Sequence, residues 1–438
     1  MTVPEESRVP LEAGDPSRVI VGAVAAPAAG RRLALAGSAS LLGVAGVALV
    51  AFSMRTAVSG VPPILNRLGL SGAGQSLLTT IPVLCFGAGA LAGPRLRGRF
   101  GEERAIFGLL LALLAGIVLR AIWPDPALFP GTVLAGLAVA LLNVLLPSLV
   151  KRRFPQRAGA LMAAYPTVMT LGSALAAAAT VPVVDATPLR LHGALGIWAL
   201  PVLLALAGWL PQLRVHGRER GSHAPRSSSP LWRVPLAWQL TFTMGLGSLV
   251  FYGELSWLPA IYRDRGLSDA QAGLLLSVLS LVGIVGNVAA PLLAVRLATQ
   301  RRVVAAIVAV SAIGVLGVLW APTASAFFWV ALLGVGQGGS LSLSLLLIVL
   351  RAADSDVSAR LSSMAQAGGY LIAALGPLVM GLLHTATGSW TLSLLTLLGF
   401  TLAIGPAGFA AARNLVIERD GRVHEGPAYA AATSRRGN

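Results

Sequence analysis

Charge is scarce in this chain: only 11% of its 438 residues are Asp, Glu, Lys or Arg, less than half the roughly 25% of a soluble domain. A surface so poor in charge cannot keep a protein dissolved, which excludes an arrangement of soluble domains. Cysteine occurs once, as Cys85, so a disulfide scaffold and any multi-cysteine metal centre are excluded. Lysine also occurs once, as Lys151, and no Gly-x-x-x-x-Gly-Lys-Ser/Thr segment exists. Without that phosphate cradle, ATP-driven pumping by this chain alone is not expected. The five histidines are scattered and lack metal-ligand spacing, so no metal and no cofactor is expected. Nor is there a nucleophile–base pair that would mark an enzyme.

What is abundant is apolar sequence, at 55% hydrophobic residues and a mean hydropathy of +0.78. A helix needs about 20 mostly apolar residues to cross the hydrocarbon core. Twelve runs meet that need, at 36–65, 73–94, 104–122, 127–150, 158–183, 191–212, 234–262, 270–296, 302–321, 325–350, 358–384 and 389–412. They lack the period-two alternation of barrel strands, so the expected class is an all-α polytopic membrane protein. The net charge of +16 would suit nucleic acid if the arginines shared a polar face, but they sit in short clusters between the runs. Alternate loops carry 27 and 5 of the 33 basic residues, and this bias predicts cytoplasmic termini. The abundance of Arg, Ala and Gly beside a single Lys points to a bacterial plasma membrane as the location.

An internal repeat is visible at an offset of 197 residues. Gly69-Leu70-Ser71 matches Gly266-Leu267-Ser268, and Pro62, Leu78, Gly89, Pro94, Arg99 and Trp123 match Pro259, Leu275, Gly286, Pro291, Arg296 and Trp320. A register held over that distance predicts duplication. The expected organisation is an N-terminal tail (1–33, disordered), a six-helix half (34–212), a basic linker (213–232), a second six-helix half (233–412) and a C-terminal tail (413–438). Parallel six-helix repeats place a substrate site near the bilayer midplane between the halves.

Ionisable groups inside hydrocarbon are costly and are candidates for function. Arg55 lies deep in the first span, and a guanidinium there offers a planar fork of donors to a carboxylate, a nitro group or a small linear anion. Glu254 is the one acid well inside a span and aligns by the repeat with Ala57, close to Arg55. Two readings stay open for it: a proton carrier, or half of a permanent Arg55–Glu254 pair joining the halves. Asn143, Gln337, Gln366, Tyr370, Tyr252 and Trp257 are candidate substrate contacts, with helix–helix hydrogen bonding as the ordinary alternative. Arg120, next to Trp123 and Pro124, reads either as an outer attraction point for anions or as an interfacial anchor. Gly87-Ala-Gly89 and Gly334-Val-Gly336 lie in apolar spans and read as close-packing sites.

Gly93-Pro-Arg-Leu-Arg-Gly-Arg-Phe-Gly-Glu-Glu-Arg104 resembles the short basic signature loop of major facilitator transporters, with Gly98 where that family commonly has Asp. The resemblance implies the major facilitator fold, and a conformational-switch role for Gly93, Arg95, Arg99, Gly101 and Arg104. Met54-Arg-Thr-Ala57, Asn143-Val-Leu-Leu-Pro147, Tyr252-Gly-Glu-Leu-Ser-Trp-Leu-Pro259 and Met364-Ala-Gln-Ala-Gly-Gly-Tyr-Leu371 are similar to the cyanate and nitroimidazole porter group of that superfamily. What this implies is a secondary transporter of a small anion or a nitro- or carboxylate-bearing molecule. It would work by alternating access with the proton as candidate coupling ion, as a monomer in the lipid bilayer. Proton-driven efflux of lipophilic compounds is the alternative, and a non-transporting membrane sensor a remote one.

Overall fold

The computed structural model describes residues 26–122, 124–153, 158–186, 188, 190–214, 230–297 and 299–426. The first half is built from α1 (Ala26–Ser59), α2 (Gly72–Phe100), α3 (Glu102–Ile122), α4 (Pro124–Arg153), α5 (Ala158–Ala186), α6 (Arg190–Gly196) and α7 (Ala199–Trp209). The second half is built from α8 (Pro235–Arg263), α9 (Asp269–Arg296), α10 (Arg301–Trp320), α11 (Ala326–Leu350), α12 (Ser355–Ala373), α13 (Leu375–Thr387) and α14 (Trp390–Ala411). A hairpin of β1 (Leu415–Ile417) and β2 (Val423–Glu425) follows. Eleven segments among the described residues are long and apolar enough to cross a membrane. The expected seventh span, α8, is 29 residues long but diluted by Gln239, Thr241, Thr243, Tyr252, Glu254 and Ser256. That same helix carries three of the candidate site residues, Tyr252, Glu254 and Trp257. Two spans are each two helices: α6 and α7 meet at Ile197–Trp198, and α12 and α13 at Ala374.

The sequence boundaries need three corrections. Helix α1 begins at Ala26, inside the segment expected to be a disordered tail, and residues 26–45 form a compact unit of their own; residues 1–25 lie outside the described residues. The basic segment expected to be a loop from Gly93 is helical as far as Phe100, because α2 simply continues. Only Gly101, at φ 78°, makes the turn into α3. The C-terminal tail opens with the β1–β2 hairpin. Most of the expected linker, residues 215–229, lies outside the described residues.

Local chemistry explains where several helices start and stop. Ser268 and Gln271 form a reciprocal capping box that opens α9, satisfying otherwise orphaned amide donors. Asp354 accepts from the amides of Asp356 and Val357 at the start of α12. Gly69 and Gly266 both take left-handed backbone, at φ 66° and 93°, where a side chain would be strained. They are a matched pair of the repeat, so duplication extends to the turn geometry. The same equivalence holds in packing. A Cβ on Gly89 would lie 2.5 Å from Cβ of Ala140, binding α2 against α4, and one on Gly286 would strike the Val335 carbonyl, binding α9 against α11.

Within residues 46–438 the halves meet along two seams, α2 against α12 and α13, and α5 against α9. Polar bonds cross between the halves near the short helical turn Pro62–Leu68. Arg67 donates to Asp269 from Nε at 2.9 Å and from Nη2 at 2.5 Å. Arg263 donates to Asn66 Oδ1 at 2.7 Å and to the Pro63 carbonyl at 3.3 Å. Further in, Ser277 donates to the Ala174 carbonyl at 2.7 Å and Ser280 to Ser173 at 3.4 Å. This end of the bundle is sealed.

Candidate functional site

Arg55 projects from α1 into the space between the halves. The phenols of Tyr252 on α8, Tyr370 on α12 and Tyr165 on α5 surround its guanidinium, and the guanidinium carbon lies 5.8 Å from the centre of the Phe251 ring. At the repeat offset, position 55 corresponds to position 252. The cation and the phenol are therefore symmetry mates facing one another across the pseudo-twofold axis. Nη1 of Arg55 is shielded from solvent and has no hydrogen-bond partner. Among the described residues no carboxylate pairs with it. The guanidinium is held by the Tyr252 phenol and by ring packing, and its donors are not consumed by an acid.

Aromatic contacts build the wall around that group. Phe86 on α2 packs on Tyr370 with ring centres 5.3 Å apart and on Tyr252 at 6.0 Å. Tyr252 meets Phe251 edge-on at 5.1 Å and Tyr370 at 6.5 Å. Such rings bury a large apolar area while offering phenolic hydroxyls at their edges. Tyr165 donates to Oδ1 of Asn143 at 2.8 Å, so Asn143 on α4 fixes the phenol and its amide –NH2 keeps its donors. The result is a five-ring box holding a cation, two of whose rings belong to α8.

Of the candidates read from sequence, the structure brings Arg55, Tyr252 and Tyr370 together, with Asn143 one hydrogen bond away. It separates the others. Glu254, two residues from Tyr252, faces away from the box, since positions i and i+2 on a helix lie on different faces. Its Oε1 accepts from Gln337 Nε2 at 3.2 Å, while its Oε2, Gln337 Oε1 and the hydroxyl of Ser340 have no partner. Glu254 is 1% exposed and sits between α8 and α11. An Arg55–Glu254 ion pair, one of the two readings of this acid, is not formed.

Trp257 is also elsewhere. Its indole N–H donates to the Pro377 carbonyl at 2.8 Å and its ring packs on Trp390, 5.3 Å away, so it joins α8 to α13 and α14. Gln366 donates to Ser362 within its own helix, at 2.8 Å. Arg120 is no interfacial anchor: it is 2% exposed and donates to the Ala57 carbonyl at 2.7 Å. Gly93, Arg95 and Arg99 lie on the terminal stretch of α2, Gly101 on the turn and Arg104 exposed on α3. Beside them, Arg152 binds Glu102 at 3.0 Å and Glu103 at 2.7 Å, tying α4 to α3.

Tyr165, Phe86 and Phe251 are box residues that the sequence reading did not select. In an apolar helix a Phe gives no sign of its orientation, because lipid and core accept it equally. The one available signal was Phe251-Tyr252 as adjacent aromatics, beside the position equivalent to Arg55.

The Major Facilitator Superfamily sequence profile matches residues 43–355. The chain is 40% identical over 354 residues to a 2-nitroimidazole transporter of Escherichia coli (strain K12), covering 80% of this chain and 89% of that protein. It is 30% identical over 358 residues to the cyanate transport protein CynX of the same organism, covering 80% and 92%. In fold it is similar to a bacterial homologue of the human lysosomal transporter Spinster, with a TM-score of 0.68 at 15% identity, covering 85% of this chain and 96% of that one.

Proposed function

The chain belongs to the Major Facilitator Superfamily, and on that premise we propose that this multi-pass membrane transporter carries a small anion or an acceptor-rich small molecule bound at Arg55. The observation that carries the reading is the shielded, unpartnered Nη1 of Arg55 inside a box of aromatic rings. A buried guanidinium without an acid is costly, and a guest with a carboxylate, nitro or cyanate-like group would offset that cost through charge-assisted hydrogen bonds. Tyr252 and Tyr370 would orient such a guest by stacking and phenolic bonds, and Asn143 has free amide donors at the edge. The 2-nitroimidazole and cyanate transporters to which the chain is similar point to the same ligand chemistry. Lipophilic-cation efflux has less support: Glu254 is tied to Gln337, leaving Arg55 as the charge in the box.

In this reading the end sealed by Arg67–Asp269 is the outer one, with both termini in the cytoplasm as the basic loops imply. The proton is the coupling ion and Glu254 its carrier. It is the buried acid of α8, its Oε2 has no other partner, and α8 also supplies Tyr252 to the box. Protonation at Glu254 would thus act through the helix that contacts the substrate. The test is flux in proteoliposomes with cyanate and with 2-nitroimidazole as probes. Arg55→Ala, which removes the guanidinium, is expected to abolish substrate-dependent flux while the purified protein keeps its melting behaviour. Full flux by that variant would sink the proposal.

A further inference from the structure

Arg120 lies on α3, beyond Arg55 on the sealed side of the box, and is 2% exposed. It has one hydrogen bond, from Nη2 to the Ala57 carbonyl at 2.7 Å, and its Nε is buried without a partner. Among the described residues it has no carboxylate partner. Taking a guanidinium out of water without a counter-charge costs several kcal/mol, and one neutral carbonyl recovers only part of that.

A cavity of about 30 Å³ adjoins it, lined by Arg120, Thr79, Thr132, Ala57, Tyr252 and Ser256 among others. A water needs ~10–15 Å³ of such space, so the cavity holds one small ion or two waters and no organic substrate. The hydroxyls of Thr79 and Thr132 donate to carbonyls of their own helices and present only lone pairs. Ser256 on α8 has no hydrogen bond among the described residues, so its O–H is free to donate. No acidic side chain lines the space. The donors still available are the unbonded N–H groups of Arg120, its buried Nε among them, from the first half and Ser256 Oγ from the second.

We propose that this cavity binds a small inorganic monovalent anion, a halide or a linear or planar ion of two to four heavy atoms, between Arg120 and Ser256. The site goes beyond the Arg55 reading and stands whether or not Arg55 carries substrate. Because its donors come from opposite halves, it is complete only when the outer seam is closed. An anion there neutralises the lone cation and ties α3 to α8, so it favours the sealed state.

Bromide is the probe. Thermal melting of the purified protein is followed as gluconate is replaced by bromide at constant ionic strength, for wild type, Arg55→Gln, Arg120→Gln and Ser256→Ala. Bromide is expected to raise the melting temperature of wild type and Arg55→Gln with the same apparent Kd. Arg120→Gln is expected to weaken that Kd by at least about tenfold, the loss of one charge-assisted bond, and Ser256→Ala by a smaller factor. Loss of the bromide effect in Arg55→Gln with retention in Arg120→Gln would move the anion to the central box and overturn the proposal. No bromide-specific shift in wild type would mean that water fills the cavity, and would overturn it equally. Should Arg120→Gln fail to fold, anomalous diffraction from bromide-soaked wild-type crystals decides: a peak within hydrogen-bonding distance of Arg120 supports the site, and its absence rejects it.

Discussion

Replacing Asp269 by Asn should unlock the sealed end of the bundle. Asp269 accepts two bonds from Arg67 and lies 3.6 Å from Nε of Arg263, so one carboxylate holds two arginines, one from each half. These side chains are 28%, 20% and 12% exposed for Arg67, Asp269 and Arg263 respectively. A fully exposed pair contributes about 0–1 kcal/mol and breaking a buried one costs about 3–5. The intermediate exposure sets the loss at about 1–2 kcal/mol, a factor of roughly 5–30 in the ratio of open to sealed states. The reporter is Ser277→Cys, at a position whose hydroxyl now bonds the Ala174 carbonyl across the seam, in a Cys85→Ser background. Its reaction with a membrane-impermeant maleimide in proteoliposomes tracks the open population. Asp269→Asn should speed labelling by about 5–30-fold, and high salt should narrow the difference. Asp185→Asn removes a partner of Arg67 that is 58% exposed and lies in the same half, so it should leave the rate within about twofold. Labelling that is unchanged or slower in Asp269→Asn would refute the idea that this carboxylate holds the halves together.

Glu254→Gln should abolish accumulation driven by a pH gradient while substrate-for-substrate counterflow persists; accumulation at the wild-type level would remove Glu254 from coupling. Gly286→Ala pushes a methyl group into the Val335 carbonyl and Gly339 amide, backbone that cannot swing aside, and should cost about 1–3 kcal/mol. Its melting temperature should fall, whereas Gly399→Ala, which meets nothing, should match wild type. At the β hairpin, the amides of Val357 and Asp356 and the Arg419 guanidinium hold the Asp354 carboxyl below its ordinary range. A depressed carboxylate stabilises above its unfolded pKa and loses that contribution as pH falls through the folded value. Hairpin docking should therefore be constant from neutral pH down to about 4 and loosen only below that. A spin label at Val423→Cys reports this as increased mobility, and loosening near pH 6 would contradict it.

Much of the scaffold was legible in the sequence because bilayer thickness and charge placement act on sequence directly. Long apolar runs and basic clusters located the spans, and the repeat that matched Gly69 with Gly266 held down to backbone sign. Errors arose where hydropathy is silent. The stretch from Gly93 to Phe100 reads as a loop by its arginines, its two glycines and Pro94, yet α2 runs through it to Phe100. The rotational phase of each helix was the larger gap. In a soluble helix the polar face marks the outside, but lipid and core are both apolar, so Phe86 and Phe251 could face either. That ambiguity also misplaced Glu254 and Trp257. Both share α8 with Tyr252, and only the folded chain reveals that one binds Gln337 and the other the Pro377 carbonyl.

The β hairpin docks at one end of the second half, where several helix termini meet. Arg351, just past α11, donates to the carbonyls of Ala411 and Ala412 and to Gln300. Strand β1 is stitched to the same turn by Ile417 N–H to the Arg351 carbonyl and Ala353 N–H to the Ile417 carbonyl. The ends of α10, α11 and α14 and the start of α12 are thereby welded into a single plate. A plate cannot flex internally, so motion in this half must be absorbed elsewhere, and the interruption at Ala374 between α12 and α13 is the natural knee. Chain termination ahead of Ile417 would turn the plate into separate rods, and the leverage that converts a local event at the box into displacement at the membrane face would leak away through them.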